Sequence, residues 1–306
     1  MMEASAKDFI KLHFIVFLWG FTAILGSVMT IPAAEVVMYR TALASIVLAG
    51  FMFFKSKSFY VEPSDWLPLI ITGLVIAFHW FLFFESARVS NVSVSLAGMA
   101  TTTFWTSLIE PVINKRKVKA FEVGLGLVVI LGLYVIFRFE VDNALGLGLA
   151  ILSAFMAALF SVLNGKLTHK ISQYTITLYE MMAAAIGITL FIPLYKNFFL
   201  NEAIAYAIPT TNDWILLLVL SVVCTVYAFS ASVELMKRIT AYVVNLTVNL
   251  EPVYGIILAV LIFGESEQMS SGFYYGTLII LLAVLSYPVL MRRQRKAAER
   301  KRKLSI

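Results

Sequence analysis

Charge and cysteine are both scarce in this chain. Of its 306 residues 14% are charged, one is a cysteine and three are histidines. The lone Cys224 excludes an intrachain disulfide and any Cys-pair metal site. No His-Glu-x-x-His, Gly-x-Ser-x-Gly or Walker-type phosphate loop occurs, so the pattern calls for no metal, nucleotide or other cofactor and points to no enzyme. An intramembrane hydrolase would need a nucleophile and a base, and His79 with Ser86 or Ser95 is the one notional pair.

Apolar residues are abundant instead, at 60% of the chain with a mean hydropathy of +0.89. Soluble domains carry roughly 45–50% apolar and about 25% charged residues, so this composition reads as an integral membrane protein. The first apolar run, 13–29, is long for the core of a cleavable signal peptide, and no clear cleavage site follows it. The net charge of +6 comes largely from the tail, 292–306. A basic tail of this kind suits a cytosolic segment beside anionic lipid headgroups better than a nucleic-acid site.

Ten spans are predicted: 11–29, 33–54, 66–87, 92–113, 120–138, 145–165, 173–194, 214–236, 240–263 and 271–290. At ~1.5 Å per residue, about 20 residues cross a hydrocarbon core of about 30 Å. Polar residues are too sparse for a barrel, so the expected fold is an all-α membrane protein. The connection 195–212 is long enough to hold an interfacial helix at 198–206. With ten spans and an inside N-terminus, 20 of the 24 Lys and Arg residues fall inside. Arg88, Arg138 and Lys196 fall outside, and Arg40 falls within a span. This bias places both termini in the cytosol of a multi-pass protein of the cell (inner) membrane.

A repeat is hidden in the apolar background. Asp65-Trp66 recurs as Asp213-Trp214, 148 residues on, and the block 89–135 aligns with 239–285 at an offset of 150. Matches include Val94 with Val244, Leu96 with Leu246, Gly126 with Gly276 and Ile130 with Ile280. The expected organisation is a first five-helix repeat (1–140), a second (141–291) and the basic tail. Because five is odd, the second half enters from the opposite side, so the repeats are inverted. Two inverted halves suit alternating access to a site near the midplane.

In these features the chain resembles the drug/metabolite transporter superfamily, in particular its EamA-type members. The resemblance rests on the two five-span halves, Trp19-Gly20 in the first span, Arg40 in the second, Glu251-Pro252 within the ninth and Gly264-Glu265 at its end. It implies a secondary transporter, often an exporter of amino acids, metabolites or drugs, with a central cavity. The first half departs from the pattern: an offset of 150 sets Thr102 against Pro252 and Lys115 against Glu265, while the pair Glu110-Pro111 sits at an offset of 141.

Ionisable groups within spans are costly and are functional candidates by default. Arg40 is expected to bind an anionic group, or else to bridge helices. Glu180, its repeat counterpart at an offset of 140, is a candidate for proton coupling, as are Glu251 and His79. Trp19, Trp80 and Tyr227, the counterpart of His79, are expected to shape the cavity with it. On span 9, Tyr242, Asn245 and Asn249 share a helical face, and Ser95 is the counterpart of Asn245. Such a stripe lines a cavity or fastens helices together. Glu85 and Glu234 are expected to pair with Arg88 and Lys237 one turn on. The glycines suit close helix packing. The expected partners are a small-molecule substrate, the lipid bilayer and protons or another coupling ion, with no nucleic acid. The alternative function is a membrane sensor or partner-binding protein on a transporter-like scaffold.

Overall fold

A computed structural model describes residues 4–118, 120–139, 141–200, 206–264 and 269–304. These are helical, with no strand among the described residues. In chain order the helices are α1 (Ala6–Gly20), α2 (Thr22–Ser27), α3 (Ala33–Phe54), α4 (Pro63–Val89), α5 (Val92–Met99), α6 (Thr102–Ile113) and α7 (Ala120–Phe139). There follow α8 (Ala144–Leu167), α9 (Gln173–Tyr195), α10 (Thr211–Leu218), α11 (Ala228–Leu235), α12 (Ala241–Val248), α13 (Glu251–Phe263) and α14 (Ser271–Leu304). A π-helical stretch, Val219–Tyr227, joins α10 to α11, and another, Lys196–Leu200, extends α9.

Among the described residues, eight helical stretches are long and apolar enough to cross a membrane: Ala6–Ser27, Ala33–Phe54, Pro63–Val89, Val92–Ile113, Ala144–Leu167, Gln173–Phe198, Thr211–Leu235 and Ala241–Phe263. The expected fifth and tenth spans fall on α7 and α14, whose apolar stretches, Gly124–Ile136 and Ser271–Ala283, are shorter. Of the expected interfacial helix, Lys196–Leu200 is π-helical and 201–205 lies outside the described residues.

Local chemistry explains where the helices start. Ser5 and Asp8 form a reciprocal capping box on α1, and Thr210 and Asp213 form another on α10. Asn91 and Thr240 cap α5 and α12 by accepting from the N–H groups of Val94 and Val243. These caps satisfy donors that lipid cannot.

Contacts across the bundle come in matched pairs. Trp66 meets Tyr179 edge-on with 4.7 Å between ring centroids, and Trp214 meets Tyr39 edge-on at 5.4 Å. The Tyr39 hydroxyl donates to the carbonyl of Ala207, and that of Tyr179 to the carbonyl of Phe59. Asp213 reaches Thr30, before α3, while Asp65 pairs with Lys170, before α9. Thr30 and Phe59 flank opposite ends of the 22-residue helix α3, so the two sets of contacts close opposite ends of the bundle. Helix α7 packs on α14 through Gly132 and Gly276, where an added Cβ would lie within 3 Å of backbone oxygen.

The expected pairs at the ends of spans 3 and 8 do not form. The Arg88 guanidinium donates instead to the carbonyls of Gly26, Met29 and Ile31, and Glu85 accepts from the Tyr195 hydroxyl. The end of α2 leaves carbonyls without helical donors, and a guanidinium fork serves several at once. Glu234 pairs with Lys11 at 2.8 Å, because α1 packs on α11, and Lys237 donates to Gln173.

Candidate functional site

Three of the helical spans are broken near their middles, and the breaks surround one cavity. Phe21 separates α1 from α2, Ala100 and Thr101 separate α5 from α6, and Asn249 and Leu250 separate α12 from α13. Hydroxyls divert the local carbonyls: Thr22 donates to Trp19, Thr101 to Gly98 and Thr102 to Met99. Pro252, at the start of α13, has no N–H to return to α12. The second and third breaks lie at equivalent places in the two halves, since α5 and α12, like α6 and α13, start 149 residues apart.

The cavity has a volume of about 70 Å³, room for a few water-sized groups. Its polar wall holds Arg40, Glu251, Asn245, Asn164, Ser161 and His79, and its aromatic wall holds Trp19, Trp80, Phe83, Phe160 and Phe229. Arg40 is buried on α3, with its guanidinium carbon 3.8 Å from the centroid of the Trp80 ring. Its Nε donates to Thr225 Oγ1 at 2.9 Å. That position depends on the π-helical stretch, where Thr225 donates to Leu220 and the Cys224 carbonyl accepts from Trp19 Nε1 at 3.0 Å. Glu251, the first residue of α13, is 7% exposed and has no hydrogen-bond partner among the described residues. No ion pair joins it to Arg40, so a guanidinium and a carboxyl group face one cavity without direct contact.

The amide of Asn245 bridges helices, donating to Thr106 Oγ1 at 2.8 Å and accepting from Ser161 Oγ at 3.1 Å. His79 is held by Ser153, whose backbone oxygen and hydroxyl lie 3.0 and 2.8 Å from Nδ1. Trp19, Arg40, His79, Trp80, Asn245 and Glu251 are thus brought to one cavity. Four other candidates stand apart. Ser95 lies behind the wall, donating to the Phe83 carbonyl, and Asn249 donates to Thr103 Oγ1. Tyr227 is 46% exposed on the outer surface, edge-on to Phe14. Glu180 is fully buried behind Asn164, whose Nδ2 donates to Glu180 Oε2 at 3.3 Å.

Sequence reasoning missed Asn164 and Ser161. They stand three residues apart on α8, the spacing of one helical face, inside an otherwise apolar run; that was the available signal. Among the described residues no group of three or more His, Cys, Asp or Glu side chains could hold a metal ion. What the walls offer is recognition: a fixed cation, an acidic group, amides and hydroxyls set among aromatic rings.

The fold has a relative of known crystal structure, with a TM-score of 0.67 at 16% identity, covering 95% of this chain and 99% of the other. In sequence the chain is similar to an uncharacterized transporter of Archaeoglobus fulgidus, 26% identical over 237 residues, which covers 75% of this chain and 79% of that protein. The model of the EamA-like transporter family matches residues 10–138 and again 144–287. The chain belongs to the EamA-like transporter family, whose repeated unit it carries twice.

Proposed function

We propose that this membrane transporter is a secondary carrier that moves a small polar or amphipathic solute, such as a metabolite, an amino acid or a drug-like molecule, out of the cell by alternating access. The observation that carries the reading is the cavity itself, where Arg40 and Glu251 stand unpaired with each other between broken helices. Arg40 receives an anionic group of the solute. Glu251 receives a cationic group or a proton. Trp19, Trp80 and Phe229 enclose the apolar part.

Alternating access needs two halves that can rock about the site. The reading takes these halves as two inverted five-span repeats, 1–140 and 141–291. The matched contacts of Trp66 with Tyr179 and of Trp214 with Tyr39 relate the halves, and each pair closes a different end of the bundle. The bias of the basic residues supports a cytosolic end at Asp65 and Lys170 and an outer end at Asp213 and Thr30, with both termini cytosolic in the inner cell membrane as the orientation proposed.

The test is transport by the purified protein in liposomes, using a broad metabolite panel with and without a pH gradient. Uptake or release of at least one class of solute is expected. A protein that moves no member of the panel under any gradient overturns the reading.

A further inference from the structure

Two buried atoms of the bundle are short of one hydrogen. Glu180 on α9 is 0% exposed, and its Oε2 accepts from Asn164 Nδ2 at 3.3 Å. Its other oxygen, Oε1, is buried without a partner, and so is Oδ1 of the same Asn164. Both are acceptors if Glu180 is a carboxylate, and a buried acceptor left unpaired keeps the full penalty of its desolvation. Lipid offers no water to replace the missing donors. A carboxylic acid and a primary amide, by contrast, can pair through two hydrogen bonds in a ring: the amide N–H donates to one acid oxygen and the acid O–H donates to the amide oxygen. One of those two bonds is already formed, and the two unpartnered atoms are the ones that the second would join.

We propose that Glu180 and Asn164 form a proton-binding site, in which Glu180 carries the proton on Oε1 and donates it to Asn164 Oδ1. No cation competes for the carboxyl among the described residues. On the elements packed against α9, Glu35 of α3 pairs with Lys196, which follows α9, and Arg40 of α3 bonds Thr225. On α4, Asp65 pairs with Lys170, His79 bonds Ser153, Glu85 accepts from Tyr195 and Arg88 serves loop carbonyls. On α11, Glu234 pairs with Lys11, while Lys166 of α8 donates to the Ile113 carbonyl. On α9 itself, Tyr179 donates to Phe59 and the Tyr174 ring packs on Phe51.

The site is coupled to the cavity through one side chain. Asn164 stands on the cavity wall, one helical turn from Ser161, and Glu180 stands behind it. A solute that draws the Asn164 amide toward the cavity removes the acceptor of the Glu180 proton. Loading and proton release are thereby linked. This linkage rests on the transport reading, whereas the proton site does not.

The experiment is infrared spectroscopy of the purified full-length protein in lipid nanodiscs at neutral pH, reading the carbonyl stretch of protonated carboxylic acids. The wild-type band is expected to lose one component in Glu180→Gln. That component is expected to shift in Asn164→Leu, where Glu180 keeps its proton but loses its amide partner. An unchanged spectrum in Glu180→Gln overturns the proposal, as does an unshifted component in Asn164→Leu. A component that vanishes when sodium replaces potassium at constant pH also overturns it, in favour of a sodium site. The amide introduced by Glu180→Gln would preserve both hydrogen bonds, so a Glu180→Gln chain that does not fold overturns the pairing too. If the bands behave as expected while the liposomes move no solute, the transport reading alone falls.

Discussion

The guanidinium of Arg40 lies 3.8 Å above the indole of Trp80, one helix away, and its Nε is tied to Thr225 on a third. The stacking is worth about 2 kcal/mol where both partners are desolvated, and it holds the planar cation in one orientation toward the cavity. Arg40→Ala is therefore expected to cut transport at least about tenfold, the loss that follows from about 1.4 kcal/mol of binding. Arg40→Lys is expected to rescue little, because an ammonium cannot stack flat while presenting a forked donor. Initial rates in liposomes, normalised to protein in the membrane, check both variants. Wild-type rates in Arg40→Ala remove Arg40 from the site.

Asn245 is predicted to matter twice. Truncation to Ala leaves the Ser161 hydroxyl without its acceptor and removes the donor to Thr106. Each buried group left unpaired costs about 1–3 kcal/mol. Asn245→Ala is expected both to lower the melting temperature in detergent and to reduce transport. A melting curve and a transport assay on the same preparation test the pair of effects.

The two aspartates of the repeated Asp-Trp pair are equivalent in sequence and unequal in bonding. Asp213 is 1% exposed and accepts from the backbone N–H and hydroxyl of Thr30 and of Thr210. Asp65 is paired at 3.5 Å with Lys170, whose side chain is 66% exposed. Loss of the hydrogen-bonded carboxylate is expected to cost about 1–3 kcal/mol, and loss of the long pair to a solvent-screened lysine about 0–1 kcal/mol. Asp213→Ala should then melt several degrees below Asp65→Ala. Equal melting temperatures would contradict the ranking.

Much of the site was legible because apolar spans make exceptions conspicuous. Arg40, His79 and Glu251 are ionisable residues within such runs, and all three reach one cavity. The repeat offset carried less weight at Tyr227. It aligns with His79 by number, but it ends the π-helical stretch Val219–Tyr227, whose wider turns shift the phase of the helix. Tyr227 consequently faces outward, and Phe229 supplies a ring to the cavity. Asn249, which follows α12, bonds back to Asn245 and turns to the same helix, α6, but one turn away, where Thr103 takes up its amide away from the cavity wall. Asn164 was passed over because it sits beside Gly165 and Lys166, where the span reads as ending. Periodicity reports regular helix, and this site is built where the helices are irregular.

The pair α7 and α14 gives a prediction away from the cavity. A Cβ on Gly276 would lie 2.7 Å from the Gly132 carbonyl oxygen and 2.5 Å from Ile136 Cγ1. Backbone cannot yield as a flexible side chain does, so the helices must separate, at a cost of about 1–3 kcal/mol for an overpacked contact. Gly276→Ala is thus expected to lower the melting temperature. Among the described residues neither helix contributes to the cavity wall, so the rate per folded molecule should stay near that of the wild type. Gly124 has open space where its Cβ would go, so Gly124→Ala serves as the control on the same helix pair and should leave both readouts unchanged. A Gly276→Ala protein that melts normally but transports poorly would mean that α7 and α14 move in the transport cycle.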